Sequence, residues 1–183
     1  MILAGCTKLI ITSRKASACA DAVRSLQALS TKATVLSLPA DLSKPSEVER
    51  FVKELTAVTD GKVDILIANA GATWGEAFDT HSDAAFDKLM NLNVRSVFNL
   101  IRLCTPLLEK ATRQSGEKAR VVTVGSVAGL HIGGIGQHGT YGYAASKAAV
   151  LVRALVYVGF VLWREGGRKG ERDCFGLTVR YSI

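Results

Sequence analysis

Tyr143 and Lys147 lie four positions apart in the sequence. In a helix, residues at this spacing share one face. A phenol ordinarily titrates near pH 10, which is too high for proton transfer at neutral pH, and a nearby ammonium favours the phenolate. The pair is therefore a candidate general acid/base, although the same spacing also arises by chance on helix surfaces.

Three further groups of polar or flexible residues have positions suited to ligand binding. Ser126 follows the apolar run 121–124, and Asn69, Ala70 and Gly71 follow the run 65–68. Ligands of open α/β sheets bind outside the carboxyl ends of the strands. A serine at such a place can donate a hydrogen bond to a substrate carbonyl, or it can simply cap a turn. Asn93 lies in an otherwise apolar helical pattern and needs a polar partner if it is buried.

The elements that must position these residues alternate along the chain. Runs rich in β-branched residues predict strands at 9–12, 34–38, 65–68 and 121–124. Apolar residues at helical spacing predict a helix after each strand, at 18–29, 48–58, 86–108 (one long helix or a pair) and 141–163. This alternation predicts an α/β fold with a doubly wound parallel sheet.

The ordered set of motifs resembles the short-chain dehydrogenase/reductase family. The resemblance covers residues from about 5 to about 155 and rests on five elements, which are Ile11-Thr12-Ser13-Arg14, Asp41-Leu42, Asn69-Ala70-Gly71, Asn93 within Asn91-Leu92-Asn93-Val94, and Ser126 with Tyr143 and Lys147. The 3-oxoacyl-acyl-carrier-protein reductases are suggested as the branch it resembles. The resemblance implies a Rossmann-like NAD(P)-binding domain at residues 1–160, followed by an irregular tail at 161–183.

The activity that the resemblance implies is hydride transfer between a nicotinamide cofactor and a small carbonyl or alcohol substrate. Tyr143 would exchange the proton of the substrate oxygen, and Lys147 would assist it and bind the nicotinamide ribose. Ser126 would orient the substrate oxygen, and Asn93 would hold a water that relays protons toward Lys147. On the cofactor side, Asp41 and Leu42 would contact the adenine, and Asn69, Ala70 and Gly71 would line the cleft.

Ser13 and Arg14 bear on the choice of cofactor. An acidic residue at this strand end would bind the ribose hydroxyl of NAD, whereas an arginine offers a fork that matches the additional phosphate of NADP. The sequence has Ser13-Arg14-Lys15 and no acid at this point. It therefore favours NADP over NAD, with a solvated turn arginine as the alternative interpretation.

The sequence departs from the family pattern at both ends and in one loop. The family's first strand and its glycine-rich, pyrophosphate-binding turn have no counterpart before the first predicted strand. A literal GxGxxG at Gly134–Gly139 lies instead between the fourth strand and the tyrosine helix, where we expect a substrate-side loop. The residues of this loop make the spacing between Ser126 and Tyr143 wider than is usual in the family. We therefore expect the 183 residues by themselves to fold poorly and to lack turnover. The alternative hypothesis is an inactive fragment that serves at most as an interaction module.

Composition excludes several other classes of protein. The net charge is +7, without a run of five like charges, which predicts a mildly basic surface and no nucleic-acid partner. The four scattered cysteines and the isolated His131 and His138 predict neither a disulfide scaffold nor a metal site. No apolar segment is long enough to span a membrane, and no secretory signal is visible. We expect a cytoplasmic protein, and a homo-oligomer if a full-length form exists.

Overall fold

The computed structural model describes residues 1–131 and 134–164, and the side chains of 153–164 are not described. The chain divides into two compact units, Met1–Lys62 and Val63–Ile183. Each unit contains one pair of parallel strands, so the predicted α/β class with parallel strands is confirmed.

The first unit places two strands side by side with a helix after each. A short 3-10 turn (Ile2–Ala4) precedes strand β1 (Lys8–Ile11), helix α1 (Ala16–Gln27), strand β2 (Thr34–Ser37) and helix α2 (Pro45–Val58). The strands run parallel in the register Lys8 to Thr34 through Ile11 to Ser37. Their carboxyl ends therefore lie at the same edge, so the segments after β1 and after β2 begin side by side.

The second unit holds the remaining strand pair and the long helices. Strand β3 (Ile65–Ala68) is followed by helix α3 (Asp83–Leu89), a π-helical segment (Met90–Arg95) and helix α4 (Ser96–Ser115). Strand β4 (Arg120–Thr123), a 3-10 turn (Val127–Gly129) and helix α5 (Tyr141–Arg164) complete it. Strand β3 pairs with β4 in parallel, from Ile65 opposite Arg120 to Ala68 opposite Thr123.

The predicted elements correspond to those in the structure, with small shifts at the boundaries. Strands β1 and β4 each begin and end one residue earlier than predicted, and β2 ends one residue earlier. The apolar stretch predicted as a helix or a helix pair is two helices joined by the π-helical segment. The last helix ends at Arg164, close to its predicted end at residue 163.

The segment after this helix was predicted to be an irregular tail. Most of that tail, 165–183, lies outside the described residues, and the domain boundary at 160 stays a prediction. Within the described part of the chain, no helix is long and apolar enough to cross a membrane.

Candidate active site

Asn93 lies in the π-helical segment of the second unit and is 1% exposed. Its side chain binds the backbone of Ala72 at both polar groups. Oδ1 accepts a hydrogen bond from Ala72 N at 2.8 Å, and Nδ2 donates to Ala72 O at 2.9 Å. The predicted asparagine is thus buried and has the partners that burial requires.

Ser146 in the first turns of α5 completes the hydrogen bonding of this amide. Asn93 Nδ2 donates its other hydrogen to Ser146 Oγ at 2.9 Å. Ser146 Oγ in turn donates to the backbone oxygen of Tyr143 at 2.7 Å. One network therefore joins the segment after β3, the π-helical segment and α5.

Lys147 follows Ser146 and is only 7% exposed. Its Nζ donates to Val124 O, just beyond β4, at 2.7 Å, and lies 5.7 Å from the centre of the Tyr143 ring. Burial lowers the pKa of Lys147 because the apolar surroundings disfavour the charged amine. The structure thus places the ammonium beside the tyrosine four positions earlier, as the spacing indicated.

The two tyrosines at the start of α5 have different surroundings. The Tyr141 hydroxyl accepts a hydrogen bond from Gly136 N at 3.1 Å, and its ring meets Phe78 edge to face at 5.3 Å. Tyr141 is therefore hydrogen-bonded to the glycine-rich loop, which is the segment Gly134–Gly139. Tyr143 is half-buried and lies against Lys147.

The segment after β3 approaches the same cluster. Asn69 and Gly71 are exposed, and Ala70 is half-buried. A Cβ added to Gly71 would lie 3.2 Å from Asn93 Oδ1 and 3.8 Å from Lys147 Nζ. The absence of a side chain at this position keeps a surface open directly beside the amide and the ammonium.

Ser126 is buried three residues beyond the end of β4. Its Oγ accepts a hydrogen bond from Ala128 N at 3.2 Å, so it caps the 3-10 turn, as one of the two interpretations anticipated. The hydroxyl proton is still available to donate to another group, because the cap uses Oγ only as an acceptor.

The last residue of this turn packs against the helix that carries the Tyr–Lys pair. A Cβ at Gly129 would lie 2.8 Å from Ala148 N and 2.8 Å from the carbonyl carbon of Lys147. Only glycine allows this approach without movement of the turn or of the helix. Sequence reasoning missed both Gly129 and Ser146. Ser146 could have been noticed as a polar residue inside the helical motif, whereas nothing in the sequence indicates the close approach at Gly129.

The first unit holds the other predicted binding residues, which lie after β1 and β2. Ser13 and Arg14 are exposed, and Ser13 O accepts a hydrogen bond from Ala40 N at 3.1 Å. Leu42 is buried in the core, and Asp41 is half-buried. The structure therefore brings Ser13, Arg14 and Asp41 to one edge of the β1–β2 sheet.

Asp41 is held in its charged form. Hydrogen bonds from Ser43 Oγ at 2.7 Å and Ser43 N at 3.2 Å hold the pKa of Asp41 below its usual value. The positive charges of Lys44 and Arg14 lower that pKa further. Arg14 itself forms no ion pair with another described side chain.

The glycine-rich loop and its histidines show no metal cluster. Among the described residues, no group of three His, Cys, Asp or Glu side chains is arranged to hold a metal ion. His131 and His138 are both exposed. The loop is joined to the segment after β3, because Glu76 N donates to Gly139 O at 3.0 Å.

Comparison with known proteins identifies a reductase and a nodulation protein among the relatives of this chain. The rhamnolipids biosynthesis 3-oxoacyl-[acyl-carrier-protein] reductase of Pseudomonas aeruginosa is 37% identical over 143 residues, covering 78% of this chain and 53% of the relative. Nodulation protein G of a Rhizobium species (strain N33) is 34% identical over 114 residues, covering 62% of this chain and 42% of the relative. The chain thus spans about half the length of the curated relatives it matches.

Solved structures agree with this relationship. A Pseudomonas aeruginosa RhlG/NADP active-site complex superimposes with a TM-score of 0.72 at 35% identity, covering 83% of this chain and 57% of that one. The NADH-dependent reductase A1-R', complexed with NAD, has a TM-score of 0.76 at 29% identity, covering 85% of this chain and 62% of that one. The family model for short chain dehydrogenases matches residues 1–155. The chain therefore belongs to the short-chain dehydrogenase/reductase family and has its Rossmann-like α/β fold.

Proposed function

We propose that this protein transfers hydride between NADP(H) and a carbonyl or alcohol substrate, with Tyr143 as the general acid/base. The observation that carries the proposal is the buried Lys147 amine, 5.7 Å from the centre of the Tyr143 ring and hydrogen-bonded to the backbone just beyond β4. A tyrosine placed beside an amine in this way can donate and take back the proton that accompanies hydride transfer.

Each residue of the cluster has a distinct part in the proposed reaction. A bound nicotinamide supplies or accepts the hydride. Tyr143 donates a proton to the carbonyl oxygen during reduction and takes it back during oxidation. Ser126 orients that oxygen with its free hydroxyl proton, while its Oγ stays engaged as an acceptor from Ala128 N. Lys147 has its amine beside the Tyr143 ring and would bind the nicotinamide ribose.

Asn93 has a more restricted part than its residue type alone indicates. Both hydrogens of its amide are donated, one to Ala72 O and one to Ser146 Oγ. A water that relays protons toward Lys147 must therefore donate to an oxygen of Asn93, since no amide hydrogen is left for it.

Each unit, taken by itself, offers residues suited to one part of a dinucleotide. In the second unit, Gly71 leaves space beside Lys147 Nζ that a Cβ would narrow. In the first unit, Arg14 is exposed and makes no ion pair with a described side chain, so its guanidinium can bind a phosphate. We propose a preference for NADP on this basis, with Ser13, Asp41 and Leu42 at the adenosine end and Asn69 and Ala70 lining the cleft. The solved relatives include complexes with NADP and with NAD.

The proposed substrate class follows the relatives. Several of the similar proteins carry the name 3-oxoacyl-[acyl-carrier-protein] reductase, and we propose a 3-oxoacyl thioester as the first substrate to try. The homo-oligomer, the cytoplasmic location and the absence of a nucleic-acid partner stay predictions from the sequence.

Thermal unfolding with and without nucleotide tests the proposal. NADPH at a hundredfold excess over its dissociation constant should stabilise the protein by about 2.7 kcal/mol. NADH at the same concentration should give a smaller shift. Lys147→Ala should reduce the NADPH shift, and Lys53→Ala, an exposed lysine on α2, should leave it unchanged. No shift with either nucleotide would favour the alternative, an inactive chain that acts through interactions only.

A further inference from the structure

The side chain of Ser146 has no exposed surface, yet its hydroxyl connects two elements of the second unit. It accepts from Asn93 Nδ2, which lies 53 positions earlier in the sequence, and it donates to Tyr143 O in its own helix. A buried hydroxyl with satisfied hydrogen bonds has one orientation imposed by its partners. Ser146 therefore ties the π-helical segment to the turn of α5 that carries Tyr143.

Other buried helix hydroxyls in this unit behave differently. Thr105 Oγ1, on α4, donates to Ile101 O in its own helix at 2.9 Å. That bond is local, and it occurs for serine and threonine in many helices without any link to another element. Ser146 adds to such a local bond an acceptor role toward Asn93, and this second bond crosses between elements.

The hydrogen bond between Ser146 and Asn93 also affects the backbone at Ala72, in the segment after β3. Asn93 holds both the N–H and the C=O of Ala72, and the neighbouring Gly71 lies beside Asn93 Oδ1 and Lys147 Nζ. Without the Ser146 hydroxyl, one buried amide hydrogen of Asn93 would lose its acceptor. The Asn93 side chain could then rotate to find another acceptor for that hydrogen, and its two hydrogen bonds with the Ala72 backbone would weaken.

We propose that Ser146 is a positioning residue, which orients Asn93 and thereby fixes the 71–72 backbone against Lys147. Its importance for turnover rests on the proposed function. Its effect on Ala72 does not, because that effect follows from the hydrogen-bond network alone.

Amide hydrogen exchange of Ser146→Ala, measured residue by residue in the 183-residue protein, tests the proposal. The Ala72 amide should exchange roughly five- to tenfold faster than in the parent. Without the Ser146 acceptor the Asn93 side chain is less well oriented, so its hydrogen bond from Ala72 N weakens. The Arg120 amide, which donates to Asp64 O at 2.8 Å in the same unit, serves as the internal reference and should change little. Thr105→Val removes a buried helix hydroxyl without a cross-element bond and should leave the ratio of the two rates unchanged.

Two results of this experiment would overturn the proposal. One is an unchanged Ala72 rate in Ser146→Ala. The other is an equal acceleration at Ala72 and Arg120, which would show general destabilisation rather than positioning.

A kinetic measurement extends the test to the reaction. In a chain extended by the family's first strand and glycine-rich turn, with NADPH and acetoacetyl-CoA as reactants, Ser146→Ala should lower kcat about tenfold and change the KM for NADPH less than twofold. A kcat equal to that of the parent would contradict the proposed role in turnover. If the parent itself oxidises no NADPH, the proposed function fails, and the exchange rates still decide whether Ser146 positions Asn93.

Discussion

At the scale of single residues, the two tyrosines in the first turn of α5 have different neighbours. Tyr141 lies under the glycine-rich loop, where its hydroxyl accepts the Gly136 N–H. Tyr143 lies against the buried Lys147. The neighbouring ammonium, not the residue type, is what makes one phenol a candidate for proton transfer.

In a chain extended by the family's first strand and glycine-rich turn, we therefore expect Tyr143→Phe to lower kcat by about 10²–10⁴-fold, the usual contribution of general acid/base catalysis. Cofactor affinity should stay close to that of the parent, since the ring is kept. Steady-state reduction of a carbonyl and NADPH titration measure the two quantities. Tyr141→Phe is the matched control and should retain most of the activity. The reverse pattern would assign the proton transfer to Tyr141.

The edge of the β1–β2 sheet supports a second prediction at this scale. Arg14 is exposed beside the charged Asp41, and its guanidinium can bind a phosphate. Arg14→Asp replaces that cation by an anion next to an existing carboxylate, so it should shift the ratio of dissociation constants toward NADH. Arg24→Ala, an exposed arginine on α1, should leave the ratio unchanged. A parent protein that binds NADH more tightly than NADPH would show that Arg14 is only a turn residue.

At the scale of elements, the 3-10 turn Val127–Gly129 packs closely against α5 at Gly129. Gly129 brings the turn that begins after Ser126 within van der Waals contact of the helix backbone at Lys147 and Ala148. This contact sets the separation between the serine and the lysine of the candidate site. It is a backbone-to-backbone contact, so neighbouring side chains cannot move to relieve a clash.

Gly129→Ala should accordingly destabilise the protein by about 1–3 kcal/mol, as is typical when a methyl group is forced into a packed contact. The expected turnover loss is larger than for a substitution elsewhere on the turn, because Ser126 and Lys147 would separate. Thermal unfolding and kcat measure the two effects. Val127→Ala, on the exposed side of the same turn, is the control. If Gly129→Ala and Val127→Ala both unfolded at the same temperature as the parent, the close approach at Gly129 would not contribute to stability.

At the scale of the whole molecule, the two compact units each contain a group whose titration makes the stability depend on pH. Hydrogen bonds lower the pKa of Asp41 in the first unit, and burial lowers the pKa of Lys147 in the second. In both cases the unfolded chain binds more protons between the folded and the unfolded pKa, so stability rises with pH across each window. The Asp41 contribution is complete above its unfolded pKa and is lost as the pH falls through its folded pKa.

We expect Asp41→Asn to flatten the acid side of the curve of unfolding free energy against pH. The measurement is denaturant unfolding at a series of pH values that runs from neutral pH down through and below the ordinary aspartate pKa. Asp21→Asn, an exposed aspartate on α1, should keep the slope of the parent. Equal slopes in Asp41→Asn and the parent would mean that Ser43 and Arg14 do not stabilise the carboxylate.

On the alkaline side, Lys147→Met should remove the rise of the unfolding free energy with pH that is expected below the usual lysine pKa.

The sequence alone determined the features of this protein that depend on local pattern. Runs of β-branched residues located all four described strands within one residue at each end, since such side chains favour the extended backbone of a strand. The order of motifs indicated the family, and the four-residue spacing placed Lys147 beside Tyr143, because helix geometry is the same wherever a helix forms.

Tertiary structure decided what depends on residues distant in the sequence. The interpretation of Asn93 as exposed or buried was open until Ala72 and Ser146 were found to bind its amide. Ser126 could cap a turn or face a ligand, and its bond from Ala128 shows that it caps the turn with Oγ as the acceptor. The close approach at Gly129 has no local pattern at all, because steric contact between a turn and a helix exists only once both have packed.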